Sequence, residues 1–212
     1  MRFATLLCLS AALAAAADIP LSAAGIDSGT AKIEVATYKG KSGAIHLTDQ
    51  GESAAIVKGT DFHNGTIEVD IAAKPGAGAA ESARGFAGLA FRIKDHAHYE
   101  AIYIRPTNGR ADDQLRRNHA TQYISEPEWP WQKLRQEMPG VYESYVDLEP
   151  DVWTHLKIVV KGLRAELYVG SAAQPCLIVK DLKKGDSRGP IGLWVGQGTD
   201  AHFANLKVTA QE

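Results

Sequence analysis

Aromatic and arginine side chains share one predicted face of two neighbouring segments. In residues 86–93 and 98–105, alternate positions carry the large apolar side chains. Because successive side chains of a strand point to opposite faces, Arg92, Tyr103 and Arg105 are predicted to point away from the core. Aromatic rings stack on the C–H faces of sugars, and guanidinium groups form paired hydrogen bonds with polar substituents. This pattern predicts a sugar-binding surface on a concave sheet face; a solvated face with ordinary cross-strand pairs is the alternative.

The segment after Arg105 supplies a second group of candidates. Residues 106–140 show little strand alternation, and a loop of this length is usually functional or disordered. Its tryptophans and arginines argue against disorder, so we predict that it forms a wall of the binding site, with a packed surface excursion as the alternative. The spacing of Trp131, Leu134 and Met138 indicates one short helix. The predicted wall residues are Gln122, Tyr123, Trp129, Trp131 and Arg135, and then Tyr142 and Glu143 on the strand that follows.

Two acidic patterns bear on catalysis. Glu143 is the candidate acid or base, because a carboxyl beside aromatic rings can have a raised pKa. Glu68-Val69-Asp70 is similar to the start of the Glu-x-Asp-x-Glu strand of laminarinase-type glycoside hydrolases, but position 72 is Ala72, so the proton donor of that motif is absent. If the strand of Glu68 joins the same sheet as Arg92, both acids lie on the same outer face as Arg92.

Metal and nucleophile signals are weak. Asp95-His96-Ala97-His98 offers oxygen and imidazole ligands, with His119 or His202 as further candidates, although such a turn is more often a surface feature. We predict no cofactor and leave open a bound divalent cation such as calcium. Cys176 lies in an apolar run and is expected to be a structural thiol.

The elements that must position these residues are strands. Short blocks with a period of two, bounded by Gly, Pro, Asn or Asp, recur along the chain, and few amphipathic helical patterns accompany them. So many strands need two stacked sheets or a closed barrel to cover their edges. The fold class is therefore predicted to be all-β, with one long insertion rich in Trp and Arg.

The N-terminal residues indicate export. A basic start, an apolar stretch and Ala15-Ala16-Ala17 before Asp18 are typical of a secretory signal peptide at residues 1–17. Residues 18–212 are then expected to form a single domain, periplasmic or secreted, and without a membrane span. The formal net charge is −2 and no basic run is present, which argues against a nucleic-acid partner.

Several segments resemble the strands of concanavalin A-like jelly rolls. Residues 88–93 (GLAFRI) and 99–106 (YEAIYIRP) are similar to their paired central strands, and residues 153–160 (WTHLKIVV), 189–196 (GPIGLWVG) and 201–208 (AHFANLKV) to their later strands. The nearest relatives by resemblance are 3-keto-disaccharide hydrolase-like and laminin-G-like domains. The resemblance implies a two-sheet antiparallel β-sandwich, but no catalytic motif carries over.

Three function classes follow from these patterns. An exported carbohydrate-binding domain needs only an aromatic platform and hydrogen-bonding groups, both of which the sequence contains. A glycoside-cleaving enzyme, a hydrolase or lyase of the 3-keto-glycoside type, is the alternative that the resemblance permits. A structural or interaction module is the second alternative, and it leaves the Trp- and Arg-rich segment unexplained. The fold alone does not choose among them.

Overall fold

The computed structural model describes residues 16–49 and 51–211. Most of the predicted signal peptide therefore lies outside the described residues, and export stays a prediction. In the described part of the chain, no helix is long and apolar enough to cross a membrane.

Two antiparallel sheets form the structure. In spatial order, the back sheet contains β13 (Leu177–Val179), β12 (Arg164–Val169), β11 (Thr154–Lys161), β6 (Asn64–Pro75), β15 (Thr199–Gln211), β4 (Lys41–Asp49) and β3 (Lys32–Tyr38), with β1 (Ala17–Asp18) paired to β15. The front sheet contains β10 (Glu143–Ser144), β9 (Thr121–Glu126), β8 (His98–Ile104), β7 (Ala87–Asp95), β14 (Gly192–Val195), β5 (Ser53–Val57) and β2 (Ile26–Asp27). Two short helices, α1 (Gln114–Asn118) and α2 (Trp131–Glu137), and a 3-10 turn at Pro106–Asn108 lie between β8 and β10.

The core lies between the two sheets, as the alternation predicts. Leu89 and Phe91 on β7 and Ile102 on β8 are fully buried on the inner face of the front sheet, and Ile158 on β11 and Phe203 on β15 are fully buried on the back sheet. The prediction of an all-β, two-sheet antiparallel sandwich is confirmed.

Arg92 does not follow the alternation. The register between β7 and β8 shifts after Phe91, and Arg92 has a φ of 51°. This irregularity turns the side chain into the protein, where Nη1 donates to the carbonyl oxygen of Gly185 and Nη2 to that of Gly162. The prediction that Arg92 faces outward beside Tyr103 is therefore wrong, because a bulge breaks the period of two.

The condition for placing Glu68 and Asp70 on the same face as Arg92, a shared sheet, is not met. Their strand, β6, lies in the back sheet between β11 and β15, so both carboxylates lie on the opposite sheet from Arg92. There Asp70 and Glu68 lie within hydrogen-bond distance of the two ring nitrogens of His155, at 2.8 and 3.1 Å.

The segment after Arg105 contains both predicted and unexpected structure. The predicted short helix is confirmed as α2, with Leu134 buried against the sheet. Residues 121–126, however, form β9, which pairs along its whole length with β8. The segment therefore widens the front sheet in addition to covering it.

Truncation of a core side chain tests this assignment of faces. Phe91→Ala is expected to lower the free energy of unfolding by about 3–5 kcal/mol, because it leaves a cavity between the sheets. Val35→Ala is the matched control, since Val35 is 57% exposed on β3, and it should cost less than about 1 kcal/mol. Urea unfolding monitored by circular dichroism measures both values. A loss below about 1 kcal/mol for Phe91→Ala would mean that the two faces are reversed.

Candidate functional site

One row of residues crosses the outer face of the front sheet. Trp194 on β14, Gly88 on β7, Tyr103 on β8, Gln122 on β9 and Glu143 on β10 are direct cross-strand partners in that order. Because Trp194 and Tyr103 have the same parity, both turn away from the core. The row therefore forms a continuous polar and aromatic floor across five strands.

Gly88 allows the two rings of this row to meet. The rings of Trp194 and Tyr103 stack with centroids 4.2 Å apart. A Cβ added to Gly88, which lies between them in the row, would be 2.6 Å from the Cβ of Tyr103 and 2.3 Å from the carbonyl oxygen of Ile102. A side chain at position 88 would therefore disturb both the stack and the spacing of β7 and β8.

An open cleft of about 990 Å³ lies over this floor. Tyr103, Arg105 and Trp194 line it, together with Phe86, which directly precedes β7. Five other parts of the chain also contribute to the lining. They are Gly51 and Glu52, residues 79–84, residues 196–198, the region from Asn108 to His119 with Arg116, and α2 with Trp131, Gln132 and Arg135. The predicted wall segment and the predicted floor residues Tyr103 and Arg105 thus line the same cleft.

Arg105 is the central charged group of the site. The residue is 4% exposed, and its guanidinium donates four hydrogen bonds of 3.0 Å each. The acceptors are the His119 carbonyl oxygen, the Glu143 carboxylate, the Tyr103 hydroxyl and the side-chain oxygen of Gln122. Arg105 therefore fixes the floor and has few donors left for a ligand.

Glu143 is an ion-pair partner of two arginines. Its side chain is 2% exposed, and Arg135 Nε donates to Oε2 at 2.9 Å while Arg135 Nη2 donates to Oε1. Burial alone would raise the pKa of Glu143, but the hydrogen bonds from Arg135 and Arg105 outweigh it, and the pKa is lowered. The expectation of a raised pKa is therefore wrong, because two cations stabilise the ionised carboxylate.

The groups nearest to the opening of the cleft are aromatic and cationic. The Arg135 guanidinium lies over the Trp131 ring at 4.6 Å, and Arg105 lies 6.0 Å from the Phe86 ring and 5.9 Å from that of Trp131. Phe86, Trp131 and Arg135 are half-buried, so part of each is open to the cleft. Burial lowers the pKa of His119, whose Nε2 lies 3.6 Å from Glu143, so a neutral imidazole is favoured there at pH 7.

Four predicted site residues lie outside this cleft. Arg92 is buried near Gly162 and Gly185, as described above. Tyr123 points into the core, where its hydroxyl donates to Glu100. The Tyr142 hydroxyl donates to Asp181. Trp129 is the fourth residue, and its ring is covered by the ammonium groups of Lys133 and Lys183 at 4.0 and 4.7 Å. Gln122 and Glu143 lie beside the cleft and hold the arginines that line it.

Sequence reasoning missed several lining residues. Trp194 could have been found, because the buried Leu193 beside it assigns Trp194 to the outer face by the same alternation. Phe86, Arg84 and Arg116 had no such signal, since they lie at strand ends or on short helices whose placement depends on distant contacts.

The ion pairs of Glu143 with Arg105 and Arg135 predict how the stability of the protein depends on pH. Glu143→Gln is expected to lower the free energy of unfolding by about 3–5 kcal/mol at pH 7, because Arg105 and Arg135 lose their counter-charge. Since the folded-state pKa of Glu143 is lowered, its contribution is complete above the unfolded pKa of about 4.3 and is lost as the pH falls through the folded pKa. The difference between parent and variant should therefore shrink below about pH 4.

Urea unfolding between pH 3 and pH 7 measures this difference. The matched control is Glu149→Gln, which removes an exposed ion pair with Arg110 and should cost less than about 1 kcal/mol. An equal loss for Glu143→Gln at every pH would show that charge is not the cause.

Comparisons with known proteins show the fold. No family model and no curated protein matches the chain. Among solved structures, a carbohydrate-binding module, CBM66, from Bacillus subtilis is 18% identical, with a TM-score of 0.62 over 87% of this chain and 95% of that one. The exoplasmic/lumenal domain of VIP36, in a form bound to Ca²⁺ and Man3GlcNAc, is 11% identical, with a TM-score of 0.57 over 93% and 89%.

A protein of unknown function with a galectin-like fold, also from Bacillus subtilis, is 12% identical, with a TM-score of 0.55 over 87% of both chains. At these identities the likeness is one of architecture. The resemblance read from the sequence is confirmed at that level: the chain has the concanavalin A-like jelly-roll fold.

Proposed function

We propose that this protein is a carbohydrate-binding domain whose sugar ligand occupies the cleft on the front sheet. The observation that carries the proposal is the pairing of half-buried Trp131 and Phe86 with Arg135 above a rigid, hydrogen-bonded floor. Ring faces suit the C–H faces of a sugar, and the guanidinium suits its hydroxyl or carboxylate groups. The cleft volume of about 990 Å³ falls at the upper end of the usual range for small-molecule sites.

Preorganisation supports binding in this cleft. The arginines are already oriented by Glu143, and the Tyr103 ring is already stacked on Trp194. A ligand therefore orders few side chains when it binds, which lowers the entropic cost of association. Arg135 Nη1 makes no hydrogen bond to the rest of the described chain, so it is available as a donor.

The electrostatics argue against Glu143 as the proton donor of a glycosidase. A glycosidase of the common two-carboxylate type needs one carboxyl that stays protonated to donate its proton. Glu143 was the sequence-based candidate, but its pKa is lowered and its oxygens are held by Arg105 and Arg135. The proposal therefore assigns no catalytic role to Glu143, although Glu52, which also lines the cleft, has a pKa raised by burial.

Calcium does not fit the metal ligands that the structure assembles. Within residues 16–49 and 51–211, three such side chains come together at His46, Asp200 and His202, on the back sheet. Calcium takes about 6–8 oxygen ligands, whereas two of these three side chains offer nitrogen. The proposal therefore assigns no calcium ion to this group of side chains.

Export of the protein is a further part of the proposal, and it rests on the predicted signal peptide. Protein isolated from its natural source is expected to begin at Asp18 and to occur in the periplasm or the medium. Mass spectrometry of the intact protein measures the terminus. An intact Met1 on folded protein from the natural source would contradict export.

Removal of an aromatic wall residue tests the sugar site. A glycan array first identifies a ligand, and calorimetry then measures its dissociation constant. Trp131→Ala is expected to weaken binding by about 1–3 kcal/mol, roughly 5- to 150-fold, because it removes a stacking surface and the support of Arg135.

Trp129→Ala is the matched control. Trp129 is also half-buried and lies two residues away, but it does not line the cleft. It should leave affinity unchanged, with folding of both variants checked by circular dichroism. Equal affinity of Trp131→Ala and the parent, or the absence of any glycan ligand in both assays, would contradict the proposal.

A further inference from the structure

Two histidines face each other on the outer face of the back sheet. His46 on β4 and His202 on β15 are direct cross-strand partners, and Asp200 lies two residues before His202 on the same face. The neighbours Leu47, Ala201 and Phe203 point into the core, so all three polar side chains turn outward. The three form a compact group of metal-ligand types.

The donor atoms already lie close to the spacings of a small metal site, so little movement is needed to form one. Asp200 Oδ1 lies 2.9 Å from His46 Nε2 and 3.8 Å from His202 Nδ1, and one donor atom from each side chain lies within 4.8 Å of the others. In a tetrahedral zinc site with bonds of about 2.0–2.2 Å, the donor atoms are roughly 3.3–3.6 Å apart. Before any ring turns, the two distances to Asp200 lie on either side of that range.

His202 lacks the hydrogen bonds that a buried imidazole normally makes. Its side chain is only 8% exposed, yet neither ring nitrogen has a hydrogen-bond partner in the described part of the chain. The Tyr38 ring stacks on it at 3.6 Å and the His46 ring at 4.3 Å. Because no hydrogen bond from the described residues occupies it, Nδ1 is available to bind a metal ion.

We propose that His46, Asp200 and His202 bind a transition-metal ion of the zinc type. Two imidazole nitrogens and one carboxylate are a donor set that suits zinc, and three protein ligands leave one position for water or another ligand. Glu34 Oε2 lies 3.8 Å from His46 Nδ1, on the far side of the ring. A carboxylate that hydrogen-bonds to this second ring nitrogen orients a metal-bound imidazole, and Glu34 would have to move slightly closer to do so.

Binding requires one ring to turn. A metal ion lies near the plane of each imidazole that binds it, but the two rings are parallel to within 4°. The His202 ring is held by Tyr38, whereas the side chain of His46 is 24% exposed. The site therefore assembles by rotation of His46 toward Asp200 and His202. This site is on the opposite sheet from the proposed sugar cleft and does not depend on it.

Titration with zinc chloride tests the site. The chelator-treated full chain is expected to bind one equivalent of zinc by calorimetry, and calcium chloride should give no comparable binding. His46→Ala and Asp200→Asn should each weaken zinc binding at least about tenfold. His98→Ala is the matched control, because His98 is also a surface histidine beside a carboxylate, Asp95, at 2.7 Å, and it should bind zinc like the parent.

Two further readouts separate loss of the site from loss of the fold. Circular dichroism checks that each variant is folded, and zinc should raise the melting temperature of the parent but not of His46→Ala. Cobalt chloride should give the visible absorption of a tetrahedral ion with the parent and lose it in Asp200→Asn. Absence of zinc binding by the parent, or equal binding by the parent, His46→Ala and Asp200→Asn, would overturn the proposal.

Discussion

The candidate site depends on one buried cation. A guanidinium that is removed from water must find acceptors for its N–H groups, because an unpaired buried charge is strongly destabilising. Arg105 finds them on β8 itself, on β9, on β10 and in the backbone after α1. The shared guanidinium therefore links these elements on the outer face of the sheet. The cleft is in this sense arranged around the hydrogen bonds of Arg105.

Arg135 positions the wall of the cleft in the way that Arg105 positions its floor. Arg135 belongs to α2, a helix of seven residues, which is too short to be stable alone. Leu134 anchors the helix in the apolar layer, and the ion pair of Arg135 with Glu143 sets its orientation. Because Trp131 lies under the guanidinium of Arg135, the aromatic part of the wall is placed by the same carboxylate that neutralises Arg105.

The sequence predicted what depends on alternation and could not predict what depends on distant contacts. Tyr103 and Arg105 were assigned to the outer face because β8 is regular. Trp131 and Arg135 were assigned to the wall because their segment leaves directly from the end of that strand. The prediction for Arg92 was wrong because a local bulge changes which face of the strand its side chain points to. The hydrophobic pattern of the sequence does not reveal such a bulge. The lowered pKa of Glu143 depends on arginines 38 and 8 positions away in the chain, so composition near Glu143 gave the wrong sign. The alternation within β6 correctly predicted that Glu68 and Asp70 share one face of their strand. It could not predict which of the two sheets contains β6, because that depends on the topology of the whole chain.

The absence of a side chain at Gly88 has a consequence for how such a protein diversifies. A Cβ there would meet the backbone of β8, so the centre of the floor cannot be altered without separating two strands. Residues 79–84 and the helices α1 and α2, in contrast, lie between strands in the chain and do not pair with the strands that form the floor. Duplicated copies of this gene could therefore acquire new ligand preferences by exchanging wall segments while they inherit one unchanged floor.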